Sequence, residues 1–286
     1  MEESNISIVI PARNEGGAIG PLLGDVRRLF PQAEIVVVND GSDDDTATIA
    51  ARVADHVVNH PYAMGNGAAI KSGARAAHGD VLVFMDGDGQ HRAEDIQRLL
   101  DGIDAGMDMV VGARLRGGQA SLGRAVANGV YNRFASWMVG HRIDDLTSGF
   151  RAVRAAKFRE FLFLLPNGFS YPSTITMAFF RAGYAVRYEP IQVQARIGTS
   201  HISPLRDATR FLLIIFKIGT LYSPLKLFFP ASLGFFFTGL AYYLHTYLAI
   251  HRFTNMSALL FIVAIVIFLI GLVSEQIANL TYARKD

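Results

Sequence analysis

Residues 81–91 read Val81-Leu82-Val83-Phe84-Met85-Asp86-Gly87-Asp88-Gly89-Gln90-His91, and this stretch decides the fold. Its first half is an apolar run of strand length, of the kind buried inside a sheet. Its second half sets two carboxylates one residue apart, where such a strand emerges at the sheet edge. The glycines between and after them let a ligand approach the backbone. Asp and Gln oxygens are hard ligands suited to Mg²⁺ or Mn²⁺, which bind alongside substrate phosphates. Taken alone, the string also reads as an acidic turn, since Asp-Gly is a common turn pair.

Outward from it, the first 200 residues alternate strand-like and helix-like segments. Strands are expected at Ile6–Ile10, Glu34–Val38, Val81–Met85 and Met109–Val111. Helices are expected at Gly17–Phe30, from an N-cap at Ser42 through Val53, at Asn66–Ala77 and at Ala93–Ala105. Asp43, Asp44 and Asp45 would sit in the first turn of the second helix, where the dipole favours acids. This order predicts a mostly parallel sheet flanked by helices, with ligands bound beyond the carboxyl ends of the strands. Three strands end in polar clusters, Arg13-Asn14-Glu15, Asn39-Asp40-Gly41-Ser42 and Asp86–His91, which parallel strands would gather on one edge. Gly65-Asn66-Gly67 opens a helix but lacks the last glycine of a dinucleotide fingerprint, because Ile70 stands there; it reads as a packing turn.

The composition narrows the possibilities. The chain has 286 residues and a net charge of +2, too small to argue for a nucleic-acid partner. It has no cysteine, which excludes disulfides, thiolate zinc sites and a cysteine nucleophile, and fits a protein facing the cytosol. Leu227–Leu244 and Met256–Val273 contain no charged residue, and each run is close to the length that crosses a bilayer. A buried pair of core helices is the competing reading. Arg206, Arg210, Lys217 and Lys226 precede the first run, and Arg284 and Lys285 follow the second, while the loop between carries only Arg252. The positive-inside rule therefore puts both termini in the cytosol. The first residues, with Glu2 and Glu3, do not read as a signal peptide. Ser203–Tyr222, with Arg206, Arg210 and Lys217 on one side, reads as a helix lying in the membrane interface or packed on the soluble domain. The expected organisation is a catalytic domain at 1–200, a juxtamembrane amphipathic helix at 201–224 and a transmembrane hairpin at 225–286.

Pro11-Ala12-Arg13-Asn14-Glu15, Val38-Asn39-Asp40-Gly41-Ser42 and Asp86-Gly87-Asp88, in that order, resemble the signatures of glycosyltransferase family 2. Asp86–His91, Thr147-Ser148-Gly149-Phe150-Arg151 and Arg196-Ile197-Gly198-Thr199-Ser200-His201 resemble its polyprenyl-phosphate hexosyltransferase branch. The resemblance implies a GT-A (Rossmann-like) α/β domain, a nucleotide-sugar donor, a polyprenyl phosphate acceptor at the inner face of the cytoplasmic membrane, and Mg²⁺ or Mn²⁺. It implies that Pro11, Asn14, Glu15, Asp40 and Ser42 border the nucleoside, that Asp86 and Asp88 are the carboxylates for the metal and for the donor's ribose and diphosphate, and that Gln90 completes the metal shell. Arg114 would face the sugar or phosphates, Ser148 and Arg151 the acceptor, and Arg196 and His201 a loop closing over the phosphates. Relatives often carry Lys where His201 stands, and a neutral imidazole binds phosphate less strongly. A homo-oligomer is a further implication.

A phosphate acceptor is itself anionic, with a second pKa of about 6, so its attack on the anomeric carbon needs no strong base. Single displacement with inversion is expected. A hydroxyl acceptor would need a base, for which Asp144 or Asp145 are candidates. A non-catalytic nucleotide-sugar scaffold is the third reading. The residues themselves do not separate UDP from GDP; the DGDGQH form and the two-span tail resemble the bacterial glucosyltransferase-type members, and that resemblance implies a UDP-hexose donor ahead of GDP-mannose.

Overall fold

The computed structural model describes residues 2–114, 122–168, 170–193, 216 and 219–283. The described chain falls into two compact units, Met1–Trp137 with His141–Ser203, and Met138–Gly140 with Pro204–Asp286.

In the first unit the chain runs β1 (Ile6–Ala12), α1 (Gly16–Leu29), β2 (Glu34–Asn39), α2 (Thr46–Ala50), β3 (His56–Asn59), α3 (Asn66–Ala76), β4 (Val81–Phe84), α4 (Asp95–Asp104) and β5 (Met109–Arg114). Then come α5 (Leu122–Val139), β6 (Arg151–Arg154), α6 (Ala155–Arg159), α7 (Tyr171–Arg181) and β7 (Val186–Ile191). The seven strands form one sheet in the order β3-β2-β1-β4-β6-β5-β7. Every residue of β1 and β4 is buried, as expected of strands covered on both faces. On α1, Ile19, Leu22, Leu23 and Val26 are buried at helical spacing, and Ile96, Leu99, Leu100 and Ile103 repeat the pattern on α4.

The expected mostly parallel sheet is present. One strand departs from it: β6 pairs antiparallel with both β4 and β5. Because β6 runs the other way, its amino end meets the carboxyl ends of β1, β2, β4, β5 and β7. The segment Asp145–Phe150, which leads into β6, thus arrives at the same edge as the Asp86–His91 turn. The short strands β3, β6 and β7 were not expected from the sequence. In β6 and β7, charged residues interrupt the apolar pattern. The helix expected from Ser42 is shorter: α2 begins at Thr46 with Asp45 at its N-cap. Gly41–Asp45 is a loop, because its polar side chains bond to the neighbouring loop instead of starting a helix.

In the second unit, α8 (Pro224–Ile250) and α9 (Asn255–Ala283) form a helical hairpin. Both contain windows long and apolar enough to cross a membrane, with mean hydropathy 1.5 and 3.1, of which only 11 % and 17 % is buried. Core helices of a soluble protein would be mostly buried, so the competing reading fails. Small residues bring the helices together. Gly239 packs against Leu260 and Phe261, Gly271 packs against Phe228, and Ser232 Oγ donates to the Ala264 carbonyl at 2.8 Å. Most of the proposed interfacial helix at 203–222 lies outside the described residues.

Candidate active site

The site is built from loops that bond to one another at the carboxyl edge of the sheet. The Gly87 N–H donates to the Pro11 carbonyl at 3.2 Å, and Asp40 N–H to the Ala12 carbonyl at 2.9 Å. Asn14, with φ 56°, accepts from Asp43 N–H through its side chain at 2.9 Å, while its own N–H donates to Ser42 Oγ at 3.0 Å. Asp44 accepts the Gly16 and Thr46 N–H groups, both at 3.0 Å, so one carboxylate serves the starts of both α1 and α2. Glu15 is the N-cap of α1 and its N–H donates to Thr46 Oγ1 at 2.9 Å. These contacts bring Pro11, Asn14, Glu15, Asp40 and Ser42 together beside the acidic turn.

Asp40 is buried, and its carboxylate faces inward. Oδ1 lies 2.8 Å from His60 Nδ1 and accepts Met64 N–H at 2.7 Å; Oδ2 accepts Gly65 N–H at 2.8 Å. Burial would raise its pKa, but the bonds from His60 and the two amides hold it below the usual carboxylate range. Asp40 thus ties the loop after β2 to the loop before α3. His60 in turn reaches Ser72 Oγ at 2.9 Å. The start of α3 is engaged in packing, as its sequence implies: Ala68 N–H donates to the Asn167 carbonyl at 2.9 Å.

In the acidic turn, Asp88 is buried and its Oδ1 accepts Gln90 N–H at 3.1 Å. Asp86 faces Gly149, where a Cβ would stand 3.1 Å from Asp86 Oδ2 and 3.2 Å from Tyr171 Oη. A side chain at position 149 would fill the space in front of the carboxylate. Two carboxylates and one amide oxygen, in a turn with that space beside it, fit Mg²⁺ or Mn²⁺. His91, to which the sequence reading gave no role, stacks on Phe150 with ring centroids 4.9 Å apart. Burial pushes its pKa down to about 4, so the ring is neutral at pH 7.

Arg114 ends β5 and is clamped by Asp145, with Nε to Oδ2 at 2.7 Å and Nη2 to Oδ1 at 3.0 Å. Asp145 also accepts Thr147 N–H at 3.0 Å. Burial favours the protonated carboxyl, yet the Arg114 pairing holds its pKa low. The same pairing raises the Arg114 pKa against the effect of burial, with a further contribution from the nearby Asp86.

Arg151 corrects an expectation. It is fully buried, with Nη1 donating to the Pro172 carbonyl at 3.3 Å and Thr176 Oγ1 at 3.1 Å, and Nη2 to the Ser148 carbonyl. It anchors the start of α7 beneath the site, and a side chain with no exposure cannot line an acceptor pocket. Ser148 is also buried, and its hydroxyl has no hydrogen-bond partner among the described residues. Arg196 and His201 lie outside the described residues. His60 and Thr46 are members of the site that sequence reasoning missed, and Asp145, named there only as a candidate base, is the partner of Arg114; the contacts to Asp40, Glu15 and Arg114 span 20, 31 and 31 residues, and no local motif marks them.

The profile of glycosyl transferase family 2 matches residues 7–162, and that of the GtrB C-terminal hairpin matches residues 223–280. The chain belongs to glycosyltransferase family 2 and carries that hairpin. It is 32 % identical over 217 residues to polyprenol monophosphomannose synthase of Mycolicibacterium smegmatis, covering 68 % of this chain and 80 % of the relative. It is 30 % identical over 202 residues to dolichyl-phosphate hexose transferase of Haloferax volcanii, covering 70 % and 87 %. Among solved structures it resembles glucosyl-3-phosphoglycerate synthase of Mycobacterium tuberculosis in complex with Mn²⁺ and UDP-glucose, with a TM-score of 0.58, 24 % identity, and coverage of 73 % and 78 %. At that identity the likeness concerns the fold.

Proposed function

We propose that this chain is a membrane-bound, inverting glycosyltransferase that moves one hexose from a nucleotide-sugar to a polyprenyl phosphate. The observation that carries the reading is the state of Asp145. A hydroxyl acceptor needs a carboxylate base, and Asp145 is a weak one because Arg114 and Thr147 already occupy it. Asp144 is paired with Arg142 at 2.7 Å. A lipid phosphate is already an anionic nucleophile and makes no such demand. The two named relatives are a polyprenol monophosphomannose synthase and a dolichyl-phosphate hexose transferase, which supports a lipid phosphate acceptor. The hairpin supplies spans suited to a membrane-resident substrate.

In this reading Asp86, Asp88 and Gln90 hold Mg²⁺ or Mn²⁺. A divalent ion held by these three residues would supply positive charge to offset that on a departing diphosphate. The stapled loops at 11–15 and 39–42 border the nucleoside, with Asp40 fixing their shape. Arg114, oriented by Asp145 and close to Asp86, presents its positive charge toward the diphosphate or sugar. By the resemblance of their stretch to the family branch, Arg196 and His201 are the residues to test for a phosphate contact. Both termini face the cytosol, by the distribution of basic residues around the spans. A UDP-hexose is the first donor to test and GDP-mannose the second.

The test is a radiolabelled-donor panel with undecaprenyl and dolichyl phosphates in detergent. Label transferred to the lipid in the presence of Mg²⁺ or Mn²⁺, and lost in Asp88→Ala, is expected. Donor binding without turnover on either lipid would overturn the enzyme reading in favour of a scaffold.

A further inference from the structure

The amino edge of the sheet, opposite the acidic turn, carries a second cluster. Glu34 opens β2 and His56 opens the adjoining β3; the two strands run parallel, with Val36 level with His56. His78 lies in the turn between α3 and β4. Their ligand atoms all lie within 4.8 Å of one another. His78 Nδ1 is 2.7 Å and His56 Nε2 is 3.4 Å from Glu34 Oε1.

The cluster is held in place from behind. The second Glu34 oxygen accepts His78 N–H at 2.8 Å and the Ser7 hydroxyl. Ser7 Oγ itself accepts Gly79 N–H at 2.7 Å. Position 79 must be glycine for this approach, since a Cβ there would stand 2.7 Å from Ser7 N. The carboxylate and the turn bearing His78 are therefore oriented by neighbours, as the ligands of metal sites are. The two imidazoles stay open to solvent, with side-chain exposures of 51 % and 79 %. A metal has access, and water can complete its shell.

We propose that Glu34, His56 and His78 form a transition-metal site that takes Zn²⁺, or Cu²⁺ or Ni²⁺, and is separate from the Mg²⁺ or Mn²⁺ site at Asp86–Gln90. Two imidazoles and one carboxylate suit these ions, whereas Mg²⁺ and Mn²⁺ favour oxygen-only sets. Tetrahedral Zn²⁺ with bonds of about 2.0–2.2 Å needs ligand atoms about 3.3–3.6 Å apart, and the observed 2.7 to 4.8 Å brackets that spacing. Metal ligation through Nδ1 replaces the His78–Glu34 hydrogen bond, and the neutral ring then carries its proton on Nε2. The metal clips together the starts of β2 and β3 and the turn before β4. It stabilises the sheet by mass action and takes no part in transfer.

The test titrates Zn²⁺ into the full-length protein in detergent with Mg²⁺ in excess, reading calorimetric stoichiometry and thermal unfolding. One Zn²⁺ per chain and a raised melting temperature are expected in the wild type and in Asp88→Ala. Affinity should fall at least tenfold in His56→Gln and in His78→Gln, and the bound metal should be lost in the double variant. Both histidines are exposed, so the variants fold; Co²⁺ substitution, which gives visible absorption bands in wild type and none in the double variant, reads ligation independently of stability. Unchanged Zn²⁺ stoichiometry in the double variant, loss of binding in Asp88→Ala, or no binding in the wild type would each overturn the proposal.

Discussion

The sheet unit and the hairpin follow opposite rules for the same side chains. In β4, Val83 is fully buried between covering helices; in α9, Val266 is exposed although equally apolar. Polar groups are inverted too. The sheet's carboxyl edge buries Asp40, Asp88 and Asp145, giving each charged-group or amide partners. Where the hairpin helices meet, small residues such as Gly239 and Gly271 seat large apolar side chains of the other helix, and the Ser232 hydroxyl bonds a carbonyl. The difference follows from the solvent: water drives apolar groups into the sheet's core, whereas lipid leaves packing of small residues to hold the helices.

A matched pair of substitutions breaks this contrast most severely. Val83→Asp places an uncompensated charge in the core and is expected to cost several kcal/mol, abolishing the folded sheet and donor binding together. Val266→Asp costs about 2.5–3.5 kcal/mol of membrane insertion. It should reduce membrane recovery while the fraction that inserts still binds donor. Donor-binding calorimetry and membrane fractionation read the two. Loss of donor binding in both variants would show that the units are not distinct in this sense.

Within the sheet unit, Asp88→Ala should lower kcat/KM about a thousandfold, matching the several kcal/mol a metal contributes, with little change in melting temperature. A steady-state assay across Mn²⁺ concentrations checks it. His91 gives a pH signature. Its folded pKa of about 4 lies below the ordinary imidazole value of 6.5, so the unfolded chain binds the extra proton between those values. Stability from this group is complete above pH 6.5 and is lost as pH falls toward 4, by up to about 3 kcal/mol. Denaturant unfolding across that window should slope in the wild type and flatten in His91→Gln. The smallest effect is expected of Asp145→Asn. It weakens the Arg114 pair by about 1–2 kcal/mol, discounted because Arg114 keeps some solvent contact. It should retain far more activity than Asp88→Ala.

The hairpin was legible because composition alone reveals it: the charge-free runs at Leu227–Leu244 and Met256–Val273 sit inside α8 and α9. The parallel core was legible for the same kind of reason, since β1, β2 and β4 are continuous apolar runs. The reversed strand was not. Arg151-Ala152-Val153-Arg154 is short and flanked by charge, and its place between β4 and β5 depends on long-range pairing. The acidic turn announced its own chemistry, but the partners of its neighbours did not. Arg151 read as a ligand contact and proved to be a buried anchor, because the carbonyls and hydroxyl that satisfy it come from α7 and the Ser148 loop. Ser42 read as a helix cap and serves Asn14 instead, since the two loops meet only once β1 and β2 pair.

The central claim is that the acceptor is a phosphate and needs no base. The most direct measurement offers the full-length protein a labelled donor with either polyprenyl phosphate or the matching polyprenol, which differs only in lacking the phosphate. Label on the phosphate alone, with inverted anomeric configuration and a rate kept in Asp145→Asn, is predicted. Label on the polyprenol hydroxyl, abolished by Asp145→Asn, would contradict the account.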